Sequence, residues 1–357
     1  MIVCHSHMPM LRIVLFVSLL ISSDIMAQIP GFVLTGNPES VNGATWTYQQ
    51  TINGTVYDLK GILFKPVGSG IFPAVIINHG TGGNVNGYSK NVAKKMVQWN
   101  YACIAVNLCH SGGVPIGSPG DSSLANFGAS TNNYLRDMKC WEILASLNYV
   151  DTNCIMAFGH SRGAYLTTGL VATYPDKFSA AGHTAGGVSP QSGFSAPTTT
   201  LAAQITCPYI IHHGDADNTV PIAMDSLLNS VFNSTGIPHQ FYQYSGYTHS
   251  SISMDSLMFA RTQQWFALHG CANPTSIDYP ESSEKISIFP NPSSQFIQFN
   301  AERILDVELF DMSGKLLLSK MVMPNEQIDV SSLNNGIYFF TINIDSKMYH
   351  QKISIQK

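Results

Sequence analysis

Residues 154–174 decide the fold: Cys154-Ile155-Met156-Ala157-Phe158, then Gly159-His160-Ser161-Arg162-Gly163, then a run from Ala164 to Tyr174. Five consecutive apolar residues read as a strand buried on both faces, and the stretch after Gly163 reads as a helix. The Gly-x-Ser-x-Gly between them permits a strand-to-helix turn too sharp for side chains beside it. Such a turn lifts the Ser161 hydroxyl above the sheet edge at a helix N-terminus, where developing negative charge is favoured. Outward from this unit the same alternation repeats. Strands are expected at residues 74–78, 101–108, 178–182 and 208–212, and helices near 88–99, 133–149 and 253–269. Ahead of them, residues 45–66 form two extended runs around Asn53-Gly54, a hairpin signal. Val/Ile-rich runs alternating with helices imply an α/β fold with a doubly wound, mostly parallel sheet.

The composition narrows the setting. Charged residues make up only 11% of the 357, against roughly 25% in ordinary soluble proteins. Apolar residues stand at 45%, ample for a packed core, so disorder is excluded. The net charge is −4 with no basic run, which argues against a nucleic-acid partner. A surface this poor in charge suits an exported protein. Arg12 precedes the apolar run of residues 13–21, and Ala27 ends the segment, so residues 1–27 read as a signal peptide cut near Ala27. That run is too short for a bilayer core, and no later segment is long and apolar enough to span one. Cys103, Cys109, Cys140, Cys154, Cys207 and Cys271 remain beyond the leader; six cysteines allow 15 pairings. Cys103 and Cys154 lie in apolar runs compatible with plain core residues, which makes Cys207 with Cys271 the first pair to test. The absence of any Cys-x-x-Cys argues against a zinc or redox motif.

The pattern changes at Cys271. Residues 272–283 carry two prolines and several Ser/Thr, a linker by content. Beyond it, residues 284–357 lose helical periodicity and read as seven short strands, at 286–289, 295–300, 307–311, 316–321, 327–330, 337–343 and 348–355. That is a small all-β sandwich of immunoglobulin size. The expected organisation is therefore a leader (1–27), an α/β unit (28–271), a linker (272–283) and a β unit (284–357).

A serine is a weak nucleophile without a base and an orienting acid. Past the strand at 208–212 lies His213-Gly214-Asp215-Ala216-Asp217-Asn218-Thr219-Val220-Pro221, and Gly246-Tyr247-Thr248-His249 forms a loop before the last helix. The order Ser161, Asp217, His249 is Ser–acid–His. The backbone N–H of Arg162 follows the nucleophile and can serve as one oxyanion donor. The glycine-rich loop His79-Gly80-Thr81-Gly82-Gly83 offers the second, at Thr81. No Lys follows that loop, so it is not a phosphate cradle. His212 and His213, beside Asp215 and Asp217, imitate a metal cluster. Neighbours on a strand point to opposite faces, however, so they cannot converge on one ion, and no metal site is expected. His110 and His183 each follow a strand and are candidates to line a substrate pocket.

These pieces together resemble the α/β-hydrolases of the dienelactone hydrolase and prolyl oligopeptidase group. The resemblance spans about residues 45–271 and rests on His79-Gly80, Gly159-His160-Ser161-Arg162-Gly163, Gly214-Asp215-Ala216-Asp217-Asn218-Thr219-Val220-Pro221 and Thr248-His249. In that family's pattern the acid is the second aspartate, Asp217; Arg162 departs from the Met, Gln or Leu of many relatives. The tail resembles the C-terminal sorting domain of the type IX (Por) secretion system, through Phe289-Pro290-Asn291-Pro292, residues 307–314 and Gly336-Ile337-Tyr338. The resemblance implies a secreted or surface-attached serine hydrolase without metal or organic cofactor, handled by the type IX machinery. Its expected substrates are carboxylic esters, plant-wall acyl esters and polyesters included. A prolyl oligopeptidase-type peptidase and a catalytically silent polysaccharide-binding protein are the alternatives.

Overall fold

The computed structural model describes residues 29–190, 195–271, 286–301, 305–324, 326–344 and 347–357. The expected leader and the expected linker lie outside the described residues. The chain divides into two compact units, one built on a nine-stranded sheet and one on two small sheets.

In the first unit, β1 (Phe32–Thr35), β2 (Ala44–Ile52) and β3 (Thr55–Phe64) are antiparallel. Asn53 and Gly54 turn the β2–β3 hairpin with φ of 49° and 80°, the positive values that a two-residue turn requires. Next come β4 (Phe72–Asn78), α1 (Lys90–Met96), β5 (Ala102–Val106), α2 (Thr131–Ser146), β6 (Val150–His160) and α3 (Arg162–Thr173). Then follow β7 (Ala180–Thr184), the short α4 (Thr199–Ala202), β8 (Tyr209–Gly214), α5 (Ala223–Thr235), β9 (His239–Tyr244) and α6 (Ser256–His269). The strand order is β1-β2-β3-β5-β4-β6-β7-β8-β9, parallel from β5 onward.

Both faces of the parallel part are covered because side chains alternate along each strand. Ile155 and Ala157 of β6 join a core with Ile143 and Leu144 of α2, Leu166 and Leu170 of α3, and Leu228 and Phe232 of α5. Phe158 is also fully buried, its ring 6.3 Å from that of Phe266 on α6. The helix α5 and the strand β9 occupy a stretch that the sequence reading leaves unassigned, and β1 is likewise additional.

Register places the functional end. Asn78 of β4 lies opposite Gly159 of β6, and His160 lies opposite Thr184 of β7. The loops leaving β4, β6 and β7 therefore emerge side by side at the carboxyl edge, where open α/β sheets form their crevice. Asn78 Nδ2 donates to Asp137 Oδ2 (2.8 Å) and to Thr167 Oγ1 (3.1 Å), and Thr167 Oγ1 donates to the Gly163 carbonyl (2.9 Å). This buried network pins the first turn of α3 to the end of β4. Burial pushes the Asp137 carboxyl up to about 8, so it is largely protonated at neutral pH. Arg136, fully buried one residue earlier, donates to the carbonyls of Asn107 (2.9 Å), Ile116 (2.6 Å), Gly117 (2.6 Å) and Pro119 (2.7 Å). It thereby ties residues 116–119 to Asn107 just past β5, through backbone carbonyls rather than a carboxylate.

Cys154 bonds Cys271, closing a span of 117 residues. Cys207, expected as the partner of Cys271, is a buried free thiol, as are Cys103, Cys109 and Cys140. The pairing follows from the end of α6 arriving beside β6. Burial raises the thiols of Cys103, Cys109, Cys140 and Cys207, which keeps them protonated and inert.

The second unit has the seven expected strands: β10 (Ile288–Phe289), β11 (Phe296–Phe299), β12 (Leu305–Phe310), β13 (Leu316–Val322), β14 (Ile328–Asp329), β15 (Gly336–Ile344) and β16 (Lys347–Ile355). They form antiparallel sheets β10-β11-β14 and β13-β12-β15-β16. Ile288, Ile297, Phe299 and Ile328 from the first sheet share one core with Val307, Leu309, Phe340, Ile342 and Ile353 from the second.

Candidate active site

Ser161 sits at the turn between β6 and α3 with φ 59° and ψ −123°. A non-glycine residue rarely adopts such a φ, and the surroundings hold it there. Its N–H donates to the Thr184 carbonyl (3.1 Å), while its own carbonyl accepts from Ala164 N–H (2.9 Å). Gly163 is required at this point, because a Cβ there would stand 2.2 Å from the Asn78 carbonyl oxygen.

His249, in the loop between β9 and α6, points Nε2 at Ser161 Oγ (2.9 Å) and Nδ1 at Asp217 Oδ2 (2.7 Å). The loop is held by Thr248 N–H donating to Ser251 Oγ (2.8 Å). The His160 ring lies 4.8 Å from the His249 ring, and the Tyr88 ring 5.4 Å from His160. Burial, aided by His249, pushes His160 down to about 3, so it packs against the site as a neutral ring. Asp217 Oδ1 accepts the N–H groups of Thr219 (2.8 Å) and Val220 (2.9 Å). Burial opposes the carboxylate, but those two bonds and His249 outweigh it and hold its pKa below the usual value. Asp215 has a different position: exposed, it accepts Gly246 N–H (2.6 Å) and ties the two loops together. Ser161 is 8% exposed and the His249 side chain 17%, so both are largely enclosed but not sealed from solvent.

The loop after β4 packs against the serine: a Cβ on Gly80 would lie 2.9 Å from Ser161 Cβ. His79 Nδ1 donates to the Gly80 carbonyl (2.9 Å), and its Nε2 lies 3.0 Å from Ser111 Oγ. Among the described residues, neither Thr81 N–H nor Arg162 N–H has an acceptor within the chain. The Arg162 guanidinium stacks 4.8 Å over the Phe127 ring, and its Nη1 is buried without a hydrogen-bond partner among the described residues.

The two histidines expected on the pocket wall are interior instead. His110 Nε2 donates to the His79 carbonyl (2.8 Å), and its Nδ1 faces Gly128 N–H (3.3 Å). His183 is fully buried between Asp225 Oδ1 (2.8 Å) and the Tyr209 hydroxyl (2.8 Å). Their hydrogen-bonding capacity is spent inside the fold. His212 and His213 diverge as strand geometry requires: His212 Nδ1 meets the Tyr244 hydroxyl (2.8 Å), and His213 Nδ1 meets Asp225 Oδ2 (2.6 Å). Asp225 escapes sequence reasoning, although Leu227, Leu228, Val231 and Phe232 with Gly236 beyond them are a legible helix signal.

Comparison with known proteins agrees with this architecture. A search of curated proteins returned no match. Among solved structures, an S-formylglutathione hydrolase from Agrobacterium tumefaciens superposes with a TM-score of 0.52 at 13% identity, over 66% of this chain and 99% of that one. A cold-adapted esterase from an Arctic intertidal metagenomic library gives 0.51 at 19% identity, over 63% and 94%. Porphyromonas gingivalis dipeptidyl peptidase 4 gives 0.51 at 14%, over 67% of this chain but only 42% of its own. The present chain thus spans less than half of that peptidase. At these identities the likeness establishes the α/β-hydrolase fold. Residues 287–356 match the secretion system C-terminal sorting domain, which marks the protein for type IX export to the cell surface or beyond. Residues 59–262 match the dienelactone hydrolase family, more than half of the chain. The chain therefore belongs to the dienelactone hydrolase family and is a hydrolase of the α/β-hydrolase superfamily.

Proposed function

We propose that the protein is a secreted serine hydrolase of carboxylic esters, with Ser161 as nucleophile, His249 as general base and Asp217 as its orienting acid. The observation that carries this reading is His249 spanning Ser161 Oγ at 2.9 Å and Asp217 Oδ2 at 2.7 Å. With Nδ1–H donated to the carboxylate, Nε2 presents its lone pair to the serine hydroxyl. Attack on an ester carbonyl moves the serine proton to Nε2 and negative charge to the carbonyl oxygen. The uncommitted N–H groups of Thr81 and Arg162 are the proposed donors to that oxygen. His249 then protonates the departing alkoxide, and water, deprotonated by the same imidazole, releases the acyl group.

The near-complete coverage of an esterase and of an S-formylglutathione hydrolase, a thioesterase by its name, against less than half of the dipeptidyl peptidase, favours ester-type acyl substrates over peptides. Residues 1–27 would be removed on export and residues 284–357 would serve sorting, leaving 28–271 as the catalytic unit. Hydrolysis of nitrophenyl acetate by the wild type and by Ser161→Ala tests the assignment. Activity lost in a folded variant is the expected result, and turnover within tenfold of the parent would refute it.

A further inference from the structure

Asp217 Oδ2 has a second histidine beside it. His213 Nε2 lies 3.3 Å from that oxygen and 2.9 Å from the Val220 carbonyl. Its Nδ1 lies 2.6 Å from Oδ2 of Asp225. A carbonyl only accepts, so Nε2 carries a hydrogen. Asp225, fully buried, also receives His183 Nε2 on Oδ1 (2.8 Å) and Gly186 N–H on Oδ2 (3.3 Å). Donors arriving on both oxygens favour the ionised carboxylate. Nδ1 of His213 therefore also carries a hydrogen, to donate to it. Both ring nitrogens face acceptors, and the ring is an imidazolium.

The charges agree with this count. Burial pulls the His213 imidazole down, but Asp225, the Val220 carbonyl and Asp217 outweigh it and raise its pKa above the ordinary value. Burial likewise opposes the Asp225 carboxylate, and the two histidines hold it well below the usual range. The other titratable or charged groups around the pair are His183 on β7, Tyr209 on β8, Tyr165 and Arg162 on α3, and His160 with His249 at the site.

We infer that His213 is a positioning residue: a fixed cation against the oxygen that receives His249 Nδ1–H, it weakens Asp217 as an acceptor and keeps His249 available as a base to lower pH. The inference rests on the triad reading, and its test separates the two. Because Asp217 Oδ2 touches both rings, the His213 and His249 nitrogens are no more than about 6 Å apart. A unit charge at about that distance, in an effective dielectric of roughly 20–40, shifts a titration by about one to two pH units.

The experiment follows inactivation of the full-length protein by diisopropyl fluorophosphate as a function of pH. In that reaction a bond from Ser161 Oγ to phosphorus forms, fluoride leaves and His249 takes the serine proton. For His213→Gln the acid limb of the rate profile is expected to move up by about one to two units relative to the wild type. Asp225→Asn, which removes the anion holding the proton on His213, should move it in the same direction by less. An unmoved limb with a uniform fall in rate at every pH would make His213 merely structural and overturn the inference. A wild type that is not phosphorylated on Ser161 at all would overturn the triad reading itself. Nitrogen NMR of histidine-labelled wild type needs no variant: His213 should keep both ring protons to a higher pH than an ordinary histidine, and a ring that loses one at or below the ordinary histidine value would overturn the inference.

Discussion

Replacing Asp217 by Asn separates orientation of the base from the shape of the site. Asp217 Oδ1 is fixed by two donors, Thr219 N–H at 2.8 Å and Val220 N–H at 2.9 Å. In the variant those donors keep the amide oxygen on their side, so the amide nitrogen takes the place of Oδ2, 2.7 Å from His249 Nδ1. An amide N–H donates there instead of accepting. His249 must then carry its own hydrogen on Nε2, the nitrogen that faces Ser161 Oγ, where it can no longer accept the serine proton. Loss of the triad acid through this wrong tautomer costs on the order of 10⁴ in rate in serine proteases, about 5.5 kcal/mol, and a similar loss is expected here. The assay is kcat/KM on nitrophenyl acetate with near- and far-ultraviolet circular dichroism to confirm folding. Asp215→Asn, which changes only an exposed bond to Gly246 N–H, should cost less than about tenfold. The tautomer reasoning is refuted if folded Asp217→Asn stays within tenfold of the parent, or if Asp215→Asn is the more damaging change.

Cys271→Ser opens a 117-residue loop in the unfolded chain's accounting and should lower stability by about 5 kcal/mol, read as a melting-temperature drop of roughly 10–20 °C. Burial pushes His79 down to about 4 and both His110 and His160 down to about 3, so the unfolded chain binds more protons below its ordinary histidine pKa. Stability should then be full above about pH 6.5 and fall as the pH drops below it, by as much as about 4 kcal/mol per unit; urea midpoints at pH 7, 6 and 5 measure the slope. A protein ending at Cys271 retains every proposed catalytic group, so its kcat/KM on a soluble ester should match the full chain while export from the native host fails. Kinetics and culture-medium activity, measured side by side, check both halves of that expectation.

Much of the site was legible because local sequence dictates it. Gly159 and Gly163 around Ser161 between a strand and a helix admit few conformations, and the Ser161, Asp217, His249 order follows from successive strand ends. The seven short strands of the tail were readable from alternation alone. What was hidden depends on partners far apart in the chain. His183 reaches Asp225 across 42 residues, and nothing in a loop-histidine pattern separates a pocket wall from a buried relay. Cys154 looks like a core residue from its neighbours; only the packing that ends α6 beside β6 makes it a disulfide partner. Helix α5 differs from these, since its apolar spacing, Leu227, Leu228, Val231 and Phe232, is local and present in the sequence.

The bond from Cys271 to Cys154 also governs what happens at the seam between the two units. Cys271 is the last described residue before the Ser/Pro-containing segment, and Cys154 belongs to β6, the strand that delivers Ser161. A cut anywhere in residues 272–285 leaves a new chain end at most a short stub beyond a covalent anchor on the central sheet. Fraying from that end must stop at the anchor, so unravelling cannot pass from the cut back along α6 toward the His249 loop. The disulfide thus acts as a selvedge: the fabric can be trimmed along its edge without unravelling toward the serine.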